Sequence, residues 1–146
     1  MARVAELAQR SAAVTHAHPL GQAGAVVQAC AVALAAASTP GTPVDRAAWC
    51  GRLAAAAASP AYAAALAAFL AHPDRPADAI RFAIQVGGDT DTIAAMTGAL
   101  AGARCGASAL PRPWLRRLEF AGRLVAAADR LAETTGWPGG EATGVR

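Results

Sequence analysis

Two long stretches of this chain carry no charged side chain. None of Asp, Glu, Lys or Arg occurs from Ser11 to Val44, or from Leu53 to Ala71. Stretches of that length either cross a membrane or lie inside a protein. The first holds His16, His18, Gln22 and Gln28 and is broken by Thr39-Pro40-Gly41-Thr42-Pro43. The second is broken at Ser59-Pro60 and is mostly alanine, which gains little from lipid. Both read better as buried helices of a soluble all-α protein with no membrane partner.

The core must then be made of small residues. Of the 146 residues 44 are Ala, and aromatics are only 5%. At about 25 cal/mol per Å2 of apolar surface such a core stabilises weakly per residue. Hydrophobic content of 55% against 16% charged excludes a disordered chain. A formal net charge of +3 is too small to argue for nucleic acid. Cys30, Cys50 and Cys105 share no CxxC spacing, which speaks against a disulfide framework or zinc knuckle and for reduced, buried thiols. The opening MARVAELAQR has Arg3, Glu6 and Arg10 where an export signal needs an apolar run. These features point to the cytoplasm.

Helical spacing runs through almost the whole chain. Residues 2–16 place Val4, Leu7, Ala8 and Val14 on one side. Pro19 fits the first turn of a helix to about Ala37 that is apolar all round, the mark of a central helix. Thr42-Pro43-Val44-Asp45 reads as a Thr cap with Pro at the first position, and Ser59-Pro60 repeats the signal for a helix ending near His72-Pro73. A helix over Ala77–Val86 stops at Gly87-Gly88. The next carries Ile93, Met96, Thr97, Leu100 and Ala101 at helical spacing. Its stripe of Ala94, Gly98 and Gly102 predicts close approach of a neighbour. Gly106 fits its stop, and Pro113 opens a last, bent helix to about Thr134. Residues 1–135 read as one helical domain, and 136–146 as a frayed Gly-rich tail.

Chemistry concentrates in Gly87-Gly88-Asp89-Thr90-Asp91-Thr92. Paired glycines permit positive φ and close backbone approach. Asp89 and Asp91, two apart in a turn, can aim at one point, and the Thr92 hydroxyl adds an oxygen. Hard oxygen ligands suit Mg2+, Mn2+ or Ca2+ rather than Zn2+. The following helix N-terminus can meet an anion such as phosphate. The competing reading is a plain turn with Asp and Thr as caps. Two carboxylates in any case fill only part of a coordination shell.

Thr15-His16-Ala17-His18-Pro19 is a second candidate. No HExxH and no local acid accompany the two histidines, so a capping Thr with a partly buried His is the plainer reading. Arg112, Arg116, Arg117, Arg123 and Arg130 form a third group, with Arg116, Arg123 and Arg130 one heptad apart. Glu119, Asp129 and Glu133 lie among them, which favours a solvated, ion-paired face over a nucleic-acid surface. The serine nucleophile elbow and the Walker loop are absent.

GGDTDTIAAMTGALAGARCG, residues 87–106, resembles the C-terminal signature of the ADP-ribosylglycohydrolase family. VTHAHPLGQAGAVVQACAVALA, residues 14–35, resembles that family's Thr-His helix, and Leu110-Pro111-Arg112-Pro113-Trp114 the Pro-x-x-Trp segment that follows. The resemblance implies an all-α orthogonal multi-helix fold with a dinuclear Mg2+ or Mn2+ site. It implies hydrolysis of the glycosidic bond between ADP-ribose and an acceptor. Matched residue by residue, Asp89, Asp91 and Thr92 would be metal ligands. His16, Gly87, Gly88 and Thr90 would face the ADP-ribose, with His16 near its phosphates.

The family's Gly-Asp opening motif, Thr-Asp-Asp-Thr motif and Gly-Asn-Gly loop do not occur in this sequence. No Asp-Asp pair exists anywhere in it. The expectation is therefore the C-terminal half of the fold, with no catalytic residue in this chain and half of the metal ligands. Such a chain would be inactive alone. It would complete a partner carrying the other half, or bind ADP-ribose without cleaving it.

Overall fold

The structure, a computed structural model, describes residues 1–53 and 60–135. The described residues form eight α-helices and no strand. They are α1 (Ala2–Ala13), α2 (Pro19–Ala36), α3 (Arg46–Arg52), α4 (Pro60–Ala71), α5 (Pro76–Val86), α6 (Thr90–Cys105), α7 (Arg112–Arg117) and α8 (Ala121–Thr135). A 3-10 turn, Ala107–Ala109, follows α6. The all-α expectation holds. The chain divides into two compact units, Met1–Ala109 and Leu110–Arg146. The Ser59 cap and the Gly-rich tail lie outside the described residues.

In the first unit α6 is the hub, packing against α2, α4 and α5. Its buried stripe is Ile93, Thr97, Leu100, Ala101 and Arg104, the helical spacing read from sequence. The centre is not α2, as its all-round apolarity suggested. Only Val27, Cys30, Ala31 and Ala35 of α2 are buried, and Leu20 is exposed. Helix α4 buries more, because it carries the bulk: Tyr62, Leu66, Phe69 and Leu70. Phe69 stacks obliquely on Trp49 of α3, centroids 5.3 Å apart. A fully buried side chain of this size contributes about 1.5–3 kcal/mol. By length and composition α2 is the one described helix able to cross a membrane; here it packs on α1 and α6.

Close helix approach is made by alanines rather than by the glycine stripe. Ala65, Ala68, Ala79 and Ala83 are fully buried where α4, α5 and α6 meet. A Cβ on Gly98 would meet Ile80 Cδ1 at 3.7 Å, an ordinary contact, and one on Gly102 would meet nothing within 4 Å. The Ile80 side chain faces Gly98 and leaves room for a Cβ there.

Several helix starts also differ from expectation. Asp45, not Thr42, caps α3: its Oδ1 accepts from the Ala48 amide at 3.0 Å. Pro43 therefore lies ahead of the helix. His18, not Thr15, caps α2, its Nδ1 accepting from the Leu20 amide at 3.2 Å. Cys30 is buried as expected, but Cys50 is exposed on the short α3, which buries no residue.

Arg104 was unforeseen. It is 4% exposed at the end of α6. Its Nε donates to Asp74 Oδ1 at 3.0 Å, and its two terminal nitrogens donate to Ser38 Oγ at 2.7 Å and Thr42 O at 2.8 Å. Asp74 Oδ1 also accepts from the Gly41 amide at 2.9 Å. Gly41 has φ +79, which suits glycine. Burying a charge is tolerable when it is paired and hydrogen-bonded throughout, as here. The signal was in the sequence: Arg104 continues the Ile93, Thr97, Leu100 stripe, and an arginine on an apolar stripe needs buried partners.

In the second unit the expected single bent helix is two helices. The chain breaks at Leu118–Phe120, where Phe120 adopts φ +56. Arg116 on α7 thus does not extend the stripe of Arg123 and Arg130 on α8. Arg123 lies over the Phe120 ring, 5.4 Å from its centroid, and makes none of the expected ion pairs among the described residues.

Candidate functional site

Helix α5 ends because two glycines leave helical space, Gly87 at φ +83 and Gly88 at φ +73. The chain reverses, and α6 starts at Thr90 with Asp89 in the N-cap position. The Asp89 backbone acts as expected of a cap, its carbonyl accepting from the Ile93 amide at 3.0 Å. Its side chain makes no capping hydrogen bond. That sets it apart from Asp45, which caps α3 by its carboxylate.

The Asp89 carboxyl instead approaches Asp91. Asp91 is held below the ordinary carboxylate range, first by a hydrogen bond with the Asp89 side chain and then by the Thr92 amide. That amide donates to Asp91 Oδ1 at 3.0 Å. Two neighbouring carboxylates repel when both are ionised. The helix N-terminus offsets part of that repulsion. A divalent cation between them would offset more.

Asp89, Asp91, Thr92 and Gly88 are exposed; Gly87 and Thr90 are half-buried. Ile93 anchors the turn in the core at 4% exposure. One turn on, the buried Thr97 hydroxyl lies 2.8 Å from Ile93 O and 3.3 Å from Ala65 O of α4. The acidic turn therefore stands on a fixed base. The donor set, two carboxylates and a hydroxyl, fits part of the shell of a hard cation. Among the described residues no three or more of His, Cys, Asp and Glu gather into a metal-binding group.

His16 occupies another corner, the α1–α2 junction. Thr15 Oγ1 lies 2.8 Å from His16 Nδ1, and Gln22 Nε2 donates to His16 O at 2.8 Å. His16 is exposed, not partly buried. A groove of about 270 Å3 is lined by Gln9, Pro19, Gln22, Ala23, Val26 and Val27, and His16 is not part of its lining. His18 is used as a helix cap, and His72 stands edge-on to Phe82 at 5.8 Å. No hydrogen bond or ion pair among the described residues joins His16 to the acidic turn. The two helices that carry these corners do meet, Gln28 Nε2 of α2 donating to Met96 O of α6 at 3.2 Å.

Residues 1–140 match the family described as ADP-ribosylglycohydrolase. The chain belongs to the ADP-ribosylglycohydrolase family. Members of that family are generally metal-dependent. A curated relative, ADP-ribosylarginine hydrolase Tri1 of Serratia proteamaculans (strain 568), is 44% identical over 54 residues. That alignment covers 37% of this chain and 15% of the relative, so the chain matches only a small part of the relative's length. No solved structure gives a significant match.

Proposed function

We propose that this ADP-ribosylglycohydrolase-family chain contributes half of a divalent-metal site to hydrolysis of the glycosidic bond between ADP-ribose and an acceptor. One observation carries the reading. Asp89 stands where a cap belongs, yet its carboxyl makes no capping hydrogen bond, two residues from the exposed Asp91. Asp89, Asp91 and the Thr92 hydroxyl would hold Mg2+ or Mn2+, both of which take such oxygens. When bound, the metal supplies orientation of the ribose hydroxyls and charge stabilisation at the reacting centre.

The chain's own residues do the rest. Gly87 and Gly88 let a ligand come against the backbone ahead of the acids. The half-buried Thr90 borders that approach. His16 offers its ring to the ADP-ribose phosphates. Two carboxylates leave most of a six-coordinate shell unfilled. On this reading the remaining ligands and a catalytic acid would have to be supplied by a further polypeptide segment. By itself the chain binds ADP-ribose without cleaving it.

The test is titration of the 146-residue chain with Mn2+ and ADP-ribose, beside an assay on ADP-ribosylated arginine. Weak Mn2+ binding that Asp89→Asn and Asp91→Asn abolish, with ADP-ribose binding and negligible turnover, is the expected result. Mn2+ binding unchanged in both variants would remove the metal reading. Robust turnover would remove the half-site reading.

A further inference from the structure

We propose that Gly21, Thr15 and Gln22 are positioning residues that fix His16 as an outward hydrogen-bond donor for a phosphate oxygen. The proposal rests on the reading above that His16 contacts ADP-ribose. The observation behind it is the missing side chain at Gly21.

Gly21 is the third residue of α2, where glycine costs about 1 kcal/mol relative to alanine. It is not among the glycines of positive φ, so the backbone does not require glycine there. What a side chain there would crowd is His16. A Cβ on Gly21 would stand 3.0 Å from His16 Cδ2, 3.3 Å from its Cβ and 3.4 Å from its Cγ. The His16 side chain therefore packs against the first turn of α2, in a seat that an alanine methyl would crowd.

Two hydrogen bonds hold it there. The Gln22 side chain grips the His16 carbonyl at 2.8 Å, and Thr15 Oγ1 lies 2.8 Å from the ring Nδ1. The Thr15 hydroxyl has one proton and two acceptors in view. Ala12 O is 3.4 Å away and already accepts the amides of Thr15 at 3.1 Å and His16 at 2.8 Å. An O–H donor works best at about 2.7–2.8 Å, and we therefore put the hydroxyl proton on the shorter contact, toward Nδ1. The ring proton is then on Nε2, the nitrogen with no partner among the described residues. This tautomer is the one the proposal requires, and it gives a donor on a fixed ring. A phosphate oxygen is an acceptor of the matching kind.

NMR and binding on the full 146-residue chain test this. In the wild type, 15N spectra are expected to place the His16 proton on Nε2, with an NOE from His16 Hδ2 to the Gly21 Hα protons. Gly21→Ala is expected to displace the ring while leaving the thermal midpoint unchanged or raised. It should weaken ADP-ribose binding about tenfold, as His16→Ala does, the loss of one hydrogen bond to a charged group. Thr15→Ser should keep the tautomer and affinity; Thr15→Val should lose affinity. A proton on Nδ1, or no NOE in the wild type, overturns the seat. So does Gly21→Ala binding like wild type while His16→Ala does not. Equal behaviour of wild type and His16→Ala toward ADP-ribose, including no binding by either, overturns the contact with ligand; the NMR result then still decides the seat.

Discussion

Arg104 Nε lies 3.0 Å from Asp74 Oδ1, and the arginine side chain is fully buried while that of Asp74 is 39% exposed. The pair joins the end of α6 to the turn between α4 and α5. Replacing Arg104 with Met removes the charge and leaves three acceptors short of a donor. We expect a loss of about 2–4 kcal/mol, read as a lower urea midpoint. Asp74→Asn keeps an acceptor but strands the guanidinium. Partial exposure limits its cost to about 1 kcal/mol.

The same pair sets an acid limb. The Gly41 amide and then Arg104 hold Asp74 below the usual carboxylate range. A depressed folded pKa stabilises fully above the unfolded value, about 3.9, and is lost as pH falls through the folded value. Wild type and Asp74→Asn should therefore differ in urea midpoint at pH 7 and converge in strong acid. A constant difference would show that the charge plays no part.

Helix α3 depends on one carboxylate. It has seven residues, buries none of them, and starts on the Asp45–Ala48 hydrogen bond. Asp45→Ala should cost about 1 kcal/mol, while Thr42→Val should leave the α3 cap intact. Amide hydrogen exchange across 46–52 distinguishes the two.

Glycines here divide by conformation. Gly98 has helical geometry, and a Cβ would touch Ile80 at an ordinary 3.7 Å, so Gly98→Ala should stabilise by up to about 1 kcal/mol. Gly88 has φ +73, and Gly88→Ala should cost about 1–2 kcal/mol in spite of open space around it. Thermal denaturation should move in opposite directions.

Cation binding at the acidic turn should compete with protons. Mn2+ affinity is expected to fall in acid as the Asp91 carboxylate, held below its ordinary range, takes up its proton. Asp91→Asn should weaken it at least about tenfold, by removing one of two charged ligands. Mn2+ electron paramagnetic resonance at pH 7 and pH 4 measures both.

Local punctuation was the most legible part of the sequence. Pro19, Gly87-Gly88 and Gly106 mark helix ends because each acts through its own φ or missing amide. The stripe on α6 was legible because its period is fixed by the helix. Which helix lies centrally was not. That depends on whose side chains have bulk, and Tyr62, Leu66 and Phe69 outweigh the longer apolar run of α2. At the acidic turn, spacing indicated that Asp89 and Asp91 could converge, but not that Asp89 would forgo its cap. His16 was visible as a residue; its seat on Gly21 was not, because that contact depends on how the chain turns at Ala17 and His18.

The three Arg104 bonds span 30, 62 and 66 residues of sequence. Loops of that length are expensive to close before other contacts hold them. The knot around the guanidinium therefore tightens on the native side of the folding barrier. Loss of it should leave the refolding rate nearly unchanged and quicken unfolding. Arg104 thus governs how long the folded molecule lasts more than how fast it forms.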